Sequence, residues 1–252
     1  QAGLLEEAEQ MAAREPKHPL IAVQLALALA SREPERAVLM VQQALERLSN
    51  ADLSLLDPTP MLNGLIAILM SHPEANLSEL HTGVSAIQTA LEIWPDEANW
   101  HSLAADLLAS LGAIQPPADE AAIQMHLEQA ARLEPTYTDH HLKLGWFYAQ
   151  NARFSQALDA LETATCTAPE NAEAWLLLAR IQKETYQYEK AIASVDRSLS
   201  FASQSIEALL LRCELALLTN NPRGALSRAQ VIINITPEHP QAWFIIAQSY
   251  EA

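Results

Sequence analysis

Residues 171–200 read NAEAWLLLARIQKETYQYEKAIASVDRSLS. Apolar or small residues stand at Trp175, Leu178 and Ala179, and again at Tyr188, Ala191, Val195 and Ser198. Spacings of three, four and seven place each set along one stripe of a helix. Between the sets, around Thr185–Gln187, the pattern lapses for about four residues, a length that joins two antiparallel helices. The stretch therefore predicts a helical hairpin.

The pattern returns along the chain. Segments that begin at Thr138, Ala172, Ile206 and Pro240 start 34 residues apart. Once aligned, Ala157, Ala191 and Ala225 share one position, and Gly145, Ala179, Cys213 and Ala247 share another that is always small. Pro169 and Pro237 share a third, with Ser203 between them. A small residue on each stripe lets the two helices of a hairpin approach closely. A proline at the third position cannot continue the second helix and begins the next turn.

This arrangement resembles the tetratricopeptide repeat family. The family pattern has Trp at position 4, Leu at 7, a small residue at 8, Tyr at 11 and an aromatic at 17. It continues with Ala at 20, a large residue at 24, a small one at 27 and Pro at 32. The unit from Thr138 fits at Leu144, Gly145, Tyr148, Phe154, Ala157, Leu161, Ala164 and Pro169, and departs at His141. The unit from Ala172 departs at Gln182, Ser198 and Ser203; the unit from Ile206 has Arg212 for Leu and Pro222 for the aromatic. The resemblance implies an all-α fold, an α-solenoid in which stacked antiparallel helix hairpins wind into a right-handed superhelix.

The N-terminal half repeats less regularly. Trp100, Leu103, Ala104 and Leu107 fit the first-helix positions of one unit, with Ile123, Leu127, Ala130 and Pro135 on its second helix. From Trp100 to His141 is 41 residues, so this unit holds seven extra, expected in a loop lengthened around Pro116-Pro117. Before it, TPMLNGLIAILM pairs with SELHTGVSAIQTALEIWP, and HPLIAVQLALALAS with PERAVLMVQQALERLS. GLLEEAEQMAAREP reads as a lone second helix and PQAWFIIAQSYEA as a lone first helix. The expectation is one solenoid over 1–252, degenerate and acidic over 1–137, regular over 138–252. It would hold about six pairs with an unpaired helix at each end. Solenoids close with polar caps. Trp243, Ile246, Ala247 and Tyr250 still carry the core pattern, so the chain is expected to be part of a longer array.

Composition narrows the function. Residues 1–137 carry 19 acidic and 6 basic side chains, and 138–252 carry 12 and 9. Neither half offers the basic face that nucleic acid requires. No apolar run approaches the roughly 18 residues of a membrane span, and no basic leader precedes an apolar segment at the N-terminus. A cytoplasmic setting is the expectation. Cys166 and Cys213 form neither a disulfide framework nor a metal spacing. Both are expected to be unpaired, inert core thiols. Asp139-His140-His141 suggests a metal, but successive helical residues point about 100° apart, and His141 takes the packing position of Trp. No catalytic motif is present. No cofactor, and a non-enzymatic role, are expected.

The resemblance directs attention to binding. In the family, first helices line a concave surface and meet a peptide through positions 2, 5, 9, 12 and 13. Position 5 holds Leu142, Leu176, Leu210 and Phe244; position 9 holds Trp146, Arg180, Glu214 and Gln248. Position 2 holds Asp139, Glu173, Glu207 and Gln241; position 12 holds Ala149, Lys183 and Leu217. These imply an apolar strip with an acidic edge, suited to an amphipathic partner with basic residues. The Lys, Asn and Arg set that clamps a terminal carboxylate in some members is absent. The leucines have two readings, as partner contacts or as packing between neighbouring helices. Two other roles stand beside the scaffold: a regulatory or substrate-docking array of a larger enzyme, such as a glycosyltransferase, and self-association through uncapped ends.

Overall fold

The computed structural model describes residues 77–251 and, singly, Met40. The lone helix, the earliest pair and the first helix of the second pair, all expected before Leu77, lie outside the described residues. From there the chain forms α1 (Leu77–Ile93), α2 (Ala98–Ile114), α3 (Glu120–Leu133), α4 (Thr138–Gln150) and α5 (Phe154–Thr167). It continues as α6 (Ala172–Glu184), α7 (Tyr188–Phe201), α8 (Ile206–Leu218), α9 (Pro222–Ile235) and α10 (Pro240–Glu251). No strand occurs among the described residues. The chain divides between Glu134 and Pro135 into two compact units.

In the second unit α4 pairs with α5, α6 with α7 and α8 with α9, and each second helix packs on the first helix that follows. The first helices α4, α6, α8 and α10 also touch in succession. These are the stacked antiparallel hairpins of an α-solenoid. In the first unit α2 packs on α1 and pairs with α3.

Each hairpin of the second unit turns in three residues, and the middle one is left-handed: Ala152 at φ 54°, Tyr186 at φ 60°, Asn220 at φ 55°. That conformation brings the next N–H back onto the helix end. Arg153, Gln187 and Asn221 donate to the carbonyls of Tyr148, Gln182 and Ala216 at 2.7–2.8 Å, closing a Schellman motif. Some helix starts use side-chain caps. Asn171 accepts from the N–H groups of Glu173 and Ala174, Ser205 from Ala208, and Asn221 from Gly224 beside Pro222.

A recurring bond ties α2, α4, α6 and α10 to the turn before each. The ring N–H of Trp175 donates to the Pro169 carbonyl at 2.9 Å, and that of Trp243 to Pro237 at 2.8 Å. His141 makes the same bond to Pro135 at 2.9 Å, and His101 to Pro95 at 3.0 Å. A histidine thus does at position 4 what tryptophan does elsewhere. The bond also corrects the register of α2, in which His101 rather than Trp100 holds position 4. Trp100 is fully buried one residue earlier and stacks on Trp94, centroids 6.3 Å apart. From His101 to His141 is 40 residues, so the unit holds six extra rather than seven. Four of them extend α2 to 17 residues against 13 in α4, and only two lengthen the turn at 115–119.

The hairpin cores follow the shared small positions. Ala157, Ala191 and Ala225 are fully buried. At Gly145 a Cβ would lie 2.6 Å from Leu161 Cγ, so α4 and α5 meet there without room for a side chain. The departures from the family pattern are internally matched. Gln182 accepts from Ser194 Oγ at 2.7 Å, and Ser198 donates to the Ala172 carbonyl at 2.7 Å. Arg212 pairs with Asp196 of the preceding hairpin at 2.9 Å, with Arg228 3.8 Å from the same carboxylate. Both cysteines are free. Cys213 is buried, but Cys166 on α5 is exposed, which corrects its expected place in the core.

Candidate partner-binding groove

The first helices of the second unit carry the residues of interest because a 34-residue period returns the same helix face at each step. A groove of about 640 Å³ crosses α4, α6, α8 and α10. Trp146, Arg180, Glu207, Leu210 and Glu214, expected on the sequence, all line it. So do Lys183 from position 12 and Gln241 from position 2.

The other expected residues do not join them. Leu142 and Leu176 are each only 8% exposed, and Leu176 belongs to the hydrophobic core. For these two, packing between helices is the observed role. Leu210 is half-buried and reaches both core and groove. Phe244 is 64% exposed and Glu173 exposed, but neither lines the groove.

Its charges are already paired across repeats. Arg180 on α6 lies 3.3 Å from Glu207 on α8, and Lys183 on α6 lies 2.9 Å from Glu214 on α8. Lys183 also lies 3.6 Å from Glu184. Partial burial alone would lower the Lys183 pKa; the Glu214 hydrogen bond and charge, with those of Glu184, outweigh it and raise the value. The expected acidic edge is therefore half of a charge ladder. Sequence reading placed Lys183 at a binding position without assigning it a role. The signal missed was its pairing with position 9 of the next unit, which only the stacking of repeats reveals.

Trp146 adds an indole 47% exposed. Glu214 also borders a second cavity of about 620 Å³ with Leu217, Leu218, Gln248 and Glu251. The groove thus offers apolar contact and paired charges. Each of its acidic and basic side chains is held by an opposite charge, which suits recognition rather than proton transfer.

The family model described as tetratricopeptide repeat matches residues 118–181 and 149–200. Among solved structures, the chain is similar to YrrB, described as a TPR protein with an unusual peptide-binding site. The TM-score is 0.63 at 17% identity, over 81% of this chain and 96% of that one. It is also similar to the C-terminal part of a TPR repeat-containing protein from Cytophaga hutchinsonii, with a TM-score of 0.71 at 13% identity over 97% and 94%. Pseudomonas aeruginosa pilF gives 0.63 at 18% identity over 97% and 99%. At these identities the likeness is one of fold. No curated protein matches the chain.

Proposed function

From the match of residues 118–200 to the tetratricopeptide repeat model and a fold shared with proteins of that kind, we propose that the chain is a non-catalytic scaffold that holds a segment of a partner protein in the groove across α4, α6, α8 and α10. The observation that carries this reading is the convergence of four successive first helices on one groove, lined by a half-exposed indole, a half-buried leucine and two cross-repeat ion pairs. An indole and a leucine supply contact area, and flanking charges fix orientation. The similarity to YrrB, a protein described as binding a peptide, points the same way.

Peptides selected from a random display library on the full chain provide the test. Trp146→Ala and Leu210→Glu are each expected to weaken their binding at least about tenfold, or ~1.4 kcal/mol, with helicity unchanged by circular dichroism. Glu173→Gln, outside the groove, is expected to leave it unchanged. Peptides that bind the Trp146 and Leu210 variants as well as the parent would place recognition on another surface.

A further inference from the structure

The groove's charges have an order. Trp146 stands on α4, the cations Arg180 and Lys183 on α6 with Glu184 beside them, and the anions Glu207 and Glu214 on α8. Three successive first helices therefore present an apolar, a net cationic and an anionic set of side chains. Resting on the groove reading above, we propose that the site selects a partner segment by charge order: an apolar side chain over α4, a carboxylate against α6 and a cationic side chain against α8.

Two features make the ladder readable by a partner. Three of its four charges are accessible, with Arg180 and Glu207 side chains 38% and 69% exposed and Glu214 48%, while Lys183 is 24% exposed. Exposed pairs add little to stability, so little is lost if a partner shifts them. Nor must they break. One nitrogen of Arg180 and one oxygen each of Glu207 and Glu214 form the contacts, whereas a guanidinium has five N–H donors and a carboxylate about four acceptor sites. An incoming carboxylate can bind Arg180 while Glu207 stays in place, and an incoming ammonium or guanidinium can bind Glu207 or Glu214.

The ladder also rejects. A uniformly acidic segment brings carboxylates against Glu207 and Glu214; a uniformly basic one brings cations against Arg180 and Lys183. Like charges so placed penalise the wrong partner, which is how specificity is obtained without added affinity. The net charge of −16 draws basic segments in general, so local order is what separates the fitting segment from a merely basic one. Packed helices lie about 8–10 Å apart and an extended chain rises about 3.3 Å per residue. The apolar group over α4 therefore stands about three residues from the charged pair, whereas the α6 and α8 charges meet at 2.9–3.3 Å, so the partner's acid and base stand close together: apolar, about two spacers, acidic, basic.

The experiment compares display selections on the full chain and on a variant carrying Arg180→Glu, Lys183→Glu, Glu207→Arg and Glu214→Arg. That variant keeps both ion pairs with their direction reversed. The parent is expected to enrich peptides with an acid and a base close together, the acid nearer the apolar group, and the variant to enrich the opposite order. Exchanging acid and base in one parent-selected peptide should cost about tenfold in Kd on the parent chain, a measurement that needs no variant to fold. Peptides that lose affinity with Trp146→Ala and Leu210→Glu yet tolerate the exchange would overturn charge order and leave the groove reading standing. Peptides indifferent to Trp146→Ala and Leu210→Glu, or no enriched peptide at all, would overturn both.

Discussion

Tyr186 sits at φ 60° in a hairpin turn, 79% exposed. The left-handed region costs an L-residue with a Cβ roughly 1–2 kcal/mol, and the short polar side chain of Asn lowers that cost. Asn220 occupies the same place one unit later. Tyr186→Asn is therefore expected to raise stability by about 0.5–1 kcal/mol, read as an increased urea midpoint with unchanged slope; a lower midpoint would show that the edge-on contact with Tyr188 outweighs the strain. Residue environment likewise separates the two thiols. Burial pushes the Cys213 thiol up to about 11, with Arg228 and Arg212 opposing, so it stays protonated and unreactive at neutral pH. Cys166 is exposed. Under native conditions iodoacetamide is expected to modify Cys166 alone, by peptide mass analysis. Alkylation of Cys213 at a comparable rate would contradict the packing of α8 against α9.

At the scale of the hairpin, Ala191 is fully buried where α7 meets α6, and Ala193 is exposed. Ala191→Leu is expected to cost about 1–3 kcal/mol by overpacking, and Ala193→Leu much less; equal melting temperatures would remove the stripe from the account. The α2–α3 hairpin has a titratable contact instead. His101 and His126 meet Nδ1 to Nδ1 at 2.9 Å, while His101 Nε2 donates to Pro95, leaving His101 Nδ1 to accept. Burial first, and the neighbouring His101 second, lower the His126 pKa. A base with a depressed folded pKa binds fewer protons folded than unfolded. Its contribution is complete above the unfolded value of about 6.5 and is lost as pH falls through the folded value. Urea titrations between pH 7 and 5 should show a loss of stability that His126→Gln diminishes. An identical slope in the variant would assign the loss to other groups. The hairpins were legible because small and bulky residues recur every 34 positions. The start of α2 was misread by one residue because Trp100 offered the expected residue type, whereas position 4 is defined by a ring N–H that reaches the preceding proline carbonyl, a bond His101 also makes. Leu142 and Leu176 share a sequence position with Phe244 but not its exposure, since how far position 5 is covered depends on the neighbouring helices. The Arg180–Glu207 and Lys183–Glu214 pairs join residues 27 and 31 apart. They depend on the rotation between stacked hairpins, which no local pattern encodes.

At the scale of the second unit, each helix meets its neighbours in sequence, and each first helix meets the next first helix. Stability in such a stack is close to a sum of repeat and nearest-neighbour contributions, so damage should stay where it is made. Ile232 on α9 is fully buried, in the part of the α6–α10 core where α9 meets α8 and α10. Ile232→Ala removes that contact and is expected to cost about 2–5 kcal/mol. α10 depends most on it, for Ala242 and Ile245 are its buried residues while Trp243, Phe244 and Tyr250 are more than half exposed. Amide hydrogen exchange on the variant should therefore accelerate across α8–α10 and stay near the parent rate across α4–α7, because sub-global opening follows contiguous cooperative units. The groove crosses the line between the two regions, with Trp146, Arg180 and Lys183 on the protected side and Glu207, Leu210 and Glu214 on the opened side. A partner that bridges α4 to α8 would be expected to slow exchange in α8–α10 of this variant, since a ligand that binds the closed form stabilises it by mass action. Equal acceleration in all seven helices would instead mean that the second unit opens as one body, and that its repeats are coupled more strongly than their neighbour contacts imply.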